Sequence, residues 1–438
     1  MKLKVLLINP WIYDFAAINL WSRPLGILKV AEYLSGFDVE LALIDCTDIF
    51  NQIKYGASKY PKETTEKPPC IKSVPRKFGR YGISIDDFRD ALRKNCPFDA
   101  VLVTSIMSYW YPGVRKVIEI ARSFSKDAPI MLGGIYATLW SRHASETSGA
   151  DFIYTGHISD NIKFAFNTFG FRIKKKREGL PYYRLGLYRQ HQFAPVLTST
   201  GCPFRCAYCS SRFLYDRFIQ RDSPGVVREI QDLYSIGIRD FAFYDDALLV
   251  NAESHIKVIL KEIIKHAPDA RFHCPNGLHA RFIDDELAGL MKNSGFRTLR
   301  LGLETVDVER QRLTGGKVTS EDLLNAVKKL KNKGFTKNDI GVYLMYGLPG
   351  QGLDEIKEGV QFLKSLDVRI NLTEFSPMPK TEYWEKLKNK GIVNDEIDPL
   401  LTNNSVFAYL FSGYDIDELA RLKLEVKEYN LKPPGIRA

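Results

Sequence analysis

Short runs of β-branched and apolar residues alternate along this chain with segments whose apolar positions recur at helical spacing. In residues 1 to about 160, the runs Lys4–Ile8, Val39–Ile44, Ala100–Ser105, Pro129–Leu132 and Phe152–Tyr154 read as strands. Between them, Leu25, Leu28, Ala31 and Leu34 line one helical face, and Val114, Val117, Ile118 and Ala121 line another. Strand–helix alternation of this kind predicts a parallel sheet covered on both faces. One stretch breaks the pattern. Tyr55 to Tyr81 is rich in Lys, Pro and Thr without a clear period, and reads as a long loop and candidate lid.

From Pro195 the alternation restarts. Strands are expected at Val196–Thr200, Ile238–Tyr244, Ala270–Cys274, Thr298–Leu303, Ile340–Met345 and Arg369–Phe375. Ser223-Pro224 reads as an N-cap with proline in the first turn, ahead of Val227, Ile230 and Tyr234. Thr319 with Asp322 makes a capping box, and Gly334 closes that helix. Six βα units are two short of an eight-stranded barrel, which leaves one side open.

The expected fold is therefore α/β: a doubly wound, Rossmann-like parallel sheet, then a partial (β/α)6 TIM-like barrel, then a small helical C-terminal segment. Boundaries are placed at 1–165 for the first domain, 166–194 for a basic linker, 195–385 for the barrel and 386–438 for the helical extension.

Composition narrows the class without choosing a function. The chain has 438 residues, 45% of them hydrophobic and 26% charged, ordinary values for a globular protein of two domains. No apolar stretch reaches bilayer-spanning length. Val5-Leu6-Leu7-Ile8 ends too soon at Asn9-Pro10 for a signal peptide and reads as a first strand. Lone cysteines suit a reducing, cytoplasmic setting. The net charge of +10 is concentrated partly in Lys174-Lys175-Lys176-Arg177 with Arg172, Arg184 and Arg189 nearby. Such a run reads first as a solvated face, and nucleic acid is not an expected partner.

Three of the seven cysteines stand together. Cys202, Cys206 and Cys209 form a C-x3-C-x2-C string, while Cys46, Cys70, Cys96 and Cys274 are scattered singly. Zinc takes four tetrahedral ligands, usually from two separated pairs, and no second pair lies nearby. Three thiolates on a 4Fe–4S cube leave one iron open, which marks a catalytic centre. The spacing resembles the radical S-adenosylmethionine (radical SAM) superfamily, and the resemblance runs to about residue 385.

Four strand ends add to it. Phe243-Tyr244-Asp245-Asp246 offers paired carboxylates for an α-amino group, although many members carry Gly-Gly-Glu there, and the choice between Asp245 and Asp246 stays open. Asn276 and Glu304 would bind ribose hydroxyls or the amino-acid end of the cosubstrate. A buried Glu304 would need a partner, with Arg281 and Arg300 as candidates. Tyr346-Gly347-Leu348-Pro349-Gly350 makes a rigid turn against which adenine would lie. Within the cysteine loop, Tyr208 and Phe204 would shield the cube. The resemblance thus implies a 4Fe–4S cluster, S-adenosyl-L-methionine, reductive cleavage to a 5′-deoxyadenosyl radical, a small-molecule substrate and a reductant protein of flavodoxin or ferredoxin type.

The order of domains resembles the branch of that superfamily with an N-terminal cobalamin-binding-like domain. Ser105-Ile106-Met107, Gly133-Gly134 and Arg23-Pro24-Leu25-Gly26 carry this likeness, and it implies cobalamin near Ser105, Gly133 and Gly134. No Asp-x-His-x-x-Gly string follows the first strand, and His143 and His157 are not at ligand spacing. Methyl transfer is one implied reaction; ring rearrangement or cyclisation is another. Two rival readings are an RNA-modifying methylthiotransferase and a non-enzymatic iron–sulfur electron carrier or sensor, the latter needing Cys274 as a fourth ligand.

Overall fold

A computed structural model describes residues 2–49, 56, 58–156, 161–176, 178, 186–313 and 315–433. The chain forms two compact units, residues 1–191 with 395–403, and residues 192–394 with 404–438. His157, and the linker residues 177 and 179–185, lie outside the described residues. The C-terminal segment, expected as one helical extension, is divided between the units.

In the first unit the strands are β1 (Leu3–Asn9), β2 (Ile12–Asp14), β3 (Val39–Asp45), β4 (Lys62–Thr64), β5 (Gly79–Tyr81), β6 (Ala100–Val103), β7 (Ile130–Leu132) and β8 (Phe152–Ile153). The five runs read from sequence form one parallel sheet in the order β3-β1-β6-β7-β8. The order reverses between β1 and β6, the switch point of a doubly wound sheet. Val5, Leu6, Leu7 and Ile8 are fully buried, because helices cover both faces of the central strand. Ile27, Ala31 and Leu34 of the helix Leu25–Leu34 pack on Val5 and Leu7.

The Tyr55–Tyr81 stretch departs from expectation. Its described residues build an antiparallel sheet, β2-β5-β4, with a 3-10 turn at Pro69–Ile71. Tertiary contacts hold what local pattern does not. The Tyr81 hydroxyl donates to Phe15 O at 2.9 Å, and buried Arg80 lies 5.0 Å from the Trp11 ring centroid while pairing with Glu63. A segment anchored in this way is part of the scaffold and not a free lid.

The second unit contains β9 (Phe193–Val196), β10 (Ser199–Thr200), β11 (Ile219–Gln220), β12 (Asp240–Phe243), β13 (Arg271–Leu278), β14 (Phe296–Glu304), β15 (Ile340–Tyr346) and β16 (Arg369–Glu374). Six strands form a parallel sheet in sequential order from β9 at one edge to β16 at the other, a partial (β/α)6 barrel. The intervening helices are Ser223–Ser235, Ile256–His266, Asp285–Asn293, Ser320–Asn332 and Leu353–Ser365. Phe241, Phe243, Phe272 and Phe296 stack across three strands with centroids 5.5–5.9 Å apart. The helix Ile416–Leu431 covers the β16 edge: Asn430 accepts from Ile370 N and donates to Ile370 O, which satisfies an otherwise open ladder.

Two local readings change. The expected strand Val196–Thr200 is split, because Ser199–Thr200 leaves the barrel to pair with Ile219–Gln220. The N-cap of the next helix is Asp222, accepting from Gly225 N, with Ser223 already in the first turn. The capping box at Thr319 and Asp322 forms as expected.

Candidate functional site

The cysteine loop begins where β10 ends, and a short helix, Ser211–Leu214, closes it. Cys209 N donates to Cys206 O at 3.0 Å, folding the second half of the motif into a turn. Burial pushes all three thiols above their ordinary range, Cys209 to about 11. The thiols of Cys202 and Cys209 both feel Cys206, and Lys317 draws all three back down. Among the described residues no three such side chains crowd around the space of one metal ion. Three soft donors on one loop, beside a fixed cation, match what a cluster with an unligated iron requires.

Lys317 was not singled out by sequence. Its ammonium lies 2.8 Å from Glu304 Oε1 and 5.6 Å from the Tyr208 ring centroid. The expected partners of Glu304, Arg281 and Arg300, do not serve: Arg281 is exposed, and Arg300 donates to Leu299 O instead. The signal available was the pair Gly315-Gly316 ahead of a lysine, thirteen residues beyond Glu304. Gly315 has φ +96°, and a Cβ there would sit 3.1 Å from Cys206 N. That glycine lets the Lys317 loop lie directly on the cysteine loop.

The other strand-end residues gather at the same carboxyl edge, with different commitments. Asp245 is 4% exposed and accepts from Thr198 N, Thr198 Oγ1 at 2.7 Å and Ser199 Oγ at 2.6 Å. It therefore pins the segment leading into the cysteine loop. Asp246 accepts from Ser211 Oγ at 2.7 Å and from no other side chain among the described residues, and burial of its carboxyl raises its pKa. Asn276 Nδ2 donates to Tyr244 O at 3.0 Å, tying the end of β12 to β13. Glu304 takes φ +69°, a conformation uncommon outside glycine, and its oxygen turns toward Lys317. Gly347 N donates to the Tyr414 hydroxyl at 3.0 Å, which holds the turn in place. The Tyr208 hydroxyl is enclosed beside the Lys317 ammonium and the Cys206 thiol. Phe204 packs on His279 and Phe282, at 4.7 and 6.2 Å between centroids.

Residues 196–363 match the model of the radical SAM superfamily. This segment is a radical SAM domain. An uncharacterised methyltransferase of Pyrococcus horikoshii is 27% identical over 215 residues, 48% of this chain and 43% of the relative. The chain thus spans under half the length of that relative. A ribosomal protein uS12 methylthiotransferase of Clostridium botulinum is 22% identical over 185 residues, 40% of either chain. The fold resembles the radical S-adenosylmethionine methyltransferase TsrM of Kitasatospora setae, solved with cobalamin and a [4Fe–4S] cluster. The TM-score is 0.63 at 18% identity, over 89% of this chain and 78% of that one. Both the Rossmann-like sheet and the radical SAM domain are thereby accounted for as folds.

At the carboxyl edge of the first unit, Ser105 Oγ donates to Gly133 O at 2.7 Å. A Cβ on Gly134, where φ is +97°, would come within 2.3 Å of Ser105 O. These two residues join the loops after β6 and β7. Gly133 meets nothing nearer than 3.8 Å on its open side, and Ile106 and Met107 beside it are 36% and 40% exposed. A bare glycine with two exposed apolar side chains fits the edge of a large, mostly apolar cofactor. The aromatics that follow β6 are committed elsewhere: Trp110 donates to Asp14, and Tyr111 to Asp398. His143 is held by the Tyr136 hydroxyl at 2.7 Å.

Proposed function

We propose that the chain is a radical SAM enzyme whose 4Fe–4S cluster is held by Cys202, Cys206 and Cys209, with cobalamin on the first unit and methyl transfer to a small molecule as the reaction. The observation that carries this reading is the three-cysteine loop lying beside the buried Glu304–Lys317 pair at the carboxyl ends of six parallel strands. When bound, the cluster supplies the electron that splits S-adenosylmethionine into methionine and a 5′-deoxyadenosyl radical, and cobalamin supplies a methyl-carrying cobalt.

The residues of the chain bind and orient. Lys317 offsets the negative charge of the cysteine loop and partly counters the burial that favours the neutral thiols. Asp246 and Glu304 present oxygens to the amino-acid end of the cosubstrate, and Asn276 and the Gly347 turn shape the nucleoside side. Tyr208 closes the loop from behind and excludes water. Ser105, Gly133 and Gly134 shape the ledge on which the corrin's periphery would rest. A reductant protein of flavodoxin or ferredoxin type would deliver the electron, in the reducing cytoplasm. No described helix is long and apolar enough to cross a membrane.

The methylthiotransferase alternative gains no support from the first-unit cysteines. Cys46 is buried, Cys70 contacts Asp398 at 3.7 Å, and Cys96 caps the helix Ile85–Asn95, each in its own setting. The test is anaerobic reconstitution with iron and sulfide, then dithionite and S-adenosylmethionine, with products read by mass spectrometry. 5′-Deoxyadenosine is expected, with S-adenosylhomocysteine beside it if methyl is transferred. A Cys202→Ala, Cys206→Ala or Cys209→Ala variant that still cleaves the cosubstrate would refute the cluster assignment. An electron carrier would load iron and yield no 5′-deoxyadenosine.

A further inference from the structure

Arg300, freed from the role of partner to Glu304, faces the inside of the barrel. The direction follows from Gly341. On β15, Leu344 packs outward against the helix Leu353–Ser365, where a Cβ on Gly359 would lie 2.8 Å from Leu344 Cδ1. Gly341 is three residues from Leu344 and points to the opposite face. A Cβ on Gly341 would meet Arg300 Nη1 at 2.8 Å and Asn371 Oδ1 at 2.8 Å, so both side chains lie over the inner face of β15. Register places Arg300 and Arg369 on either side of Gly341, on β14 and β16.

These groups are unusually incomplete for an interior. Arg300 makes one hydrogen bond, to Leu299 O at 3.2 Å, and no carboxylate among the described residues pairs with it or with Arg369. Acids of the neighbouring strands and loops are engaged: Asp240 is held by Arg271 and His273, Glu304 by Lys317, and Asp367, two residues before Arg369, by Lys331. Asn371 Oδ1 is enclosed and accepts no hydrogen bond. Buried polar groups are ordinarily paired, and a desolvated guanidinium beside a second cation is costly without an anion. Arg300 and the orphaned Asn371 acceptor meet over Gly341, with Arg369 beside it in register and its charge felt by Arg300, and together they describe a receptor awaiting its ligand.

We propose that Arg300, Arg369 and the Asn371 amide form the subsite for the anionic end of the substrate, a carboxylate or phosphate with an N–H or O–H donor beside it. The guanidinium groups take the oxyanion, Arg300 by its planar fork, and Asn371 Oδ1 takes the neighbouring donor. The proposal deepens the catalytic reading of this barrel and rests on it, yet the two fail separately. Iron content and 5′-deoxyadenosine report the cluster; the response to anions reports the barrel interior.

The test uses the full reconstituted chain and two probes, sodium acetate and inorganic phosphate, titrated against chloride at constant ionic strength. Thermal unfolding is the readout. Saturable stabilisation of the wild type is expected with at least one probe. Acetate alone would identify a carboxylate source, and phosphate alone a phosphate source. Arg300→Met and Arg369→Met should each weaken the apparent affinity roughly tenfold or more. Without anions, both variants should unfold at or above the wild-type midpoint, because an unpaired, half-buried charge has been removed. The idea is overturned if neither anion stabilises the protein beyond chloride, or if the variants respond as the wild type does. A clear fall in the anion-free midpoint of Arg300→Met would also overturn it, showing a packing role instead.

Discussion

The β1 edge of the first parallel sheet and the interior of the barrel differ in how their polar groups are satisfied. At the ends of β1 and β3, the fully buried Asp45 carboxylate accepts from Asn9 Nδ2 at 2.7 Å, Thr47 N at 2.9 Å, Thr47 Oγ1 at 2.7 Å and the Tyr188 hydroxyl at 2.8 Å. Arg23, stacked 4.1 Å over the Tyr188 ring, completes the set by pairing with Asp48. In the barrel, among the described residues, the Asn371 amide oxygen accepts no hydrogen bond, Arg300 donates to Leu299 O alone, and one buried and two half-buried thiols share a loop. A closed network makes a scaffold, whereas an interior with open valences is stable only if something else completes it. This difference marks the β1 edge of the first unit as scaffold and the barrel interior as the more open of the two.

The comparison breaks most sharply at Asp45. Asp45→Ala strands Asn9, Thr47 and Tyr188 in a buried network and should cost about 3–5 kcal/mol. Urea denaturation measures it, and a loss under about 1 kcal/mol would mean that the first unit's edge is no more closed than the barrel's.

Next comes Lys317. Lys317→Met leaves Glu304 buried without its cation and should cost about 3 kcal/mol together with much of the iron loading. Adding Glu304→Gln should restore most of the stability but little of the iron, since the missing positive charge also served the thiols. Full recovery of both would make the pair purely structural. A smaller effect is expected from Gly315→Ala. The positive φ and the contact with Cys206 together should cost about 1–2 kcal/mol and lower iron content per chain, read by absorbance and iron assay.

Much of this was legible in the chain itself, for identifiable reasons. Buried parallel strands such as Val5–Ile8 and Leu299–Leu303 show as apolar runs, because both of their faces or one full face must leave water. The cysteine spacing is local and so survives in sequence. What stayed hidden depends on distant partners. β4 and β5 are three residues each and polar, and they exist because Arg80 and Tyr81 find Trp11, Glu63 and Phe15. Lys317 pairs with Glu304 only once the Gly315 turn is folded. The different commitments of Asp245 and Asp246 likewise show only with Thr198, Ser199 and Ser211 in place.

The smallest effect sharpens the contrast within the barrel itself, between its floor and its open interior. Asp240 at the start of β12 meets Arg271 and His273, and His273 also meets Thr298 at 3.1 Å. Burial alone would raise Asp240, but hydrogen bonds from His273 and Arg271 outweigh it and hold the carboxyl at about 2. Burial also depresses His273, so Arg271 supplies the compensating charge near neutrality. A carboxyl depressed on folding stabilises above its unfolded pKa of about 3.9, and that contribution is lost as pH falls toward 2. Arg271 is 45% exposed, and after solvent screening about 1 kcal/mol remains. Asp240→Asn should therefore trail the wild type by that amount at pH 6 in urea, with the gap closing between about pH 4 and pH 2. A gap independent of pH would show that the floor is held by packing of Phe241 and Phe272 and not by the charge on Asp240.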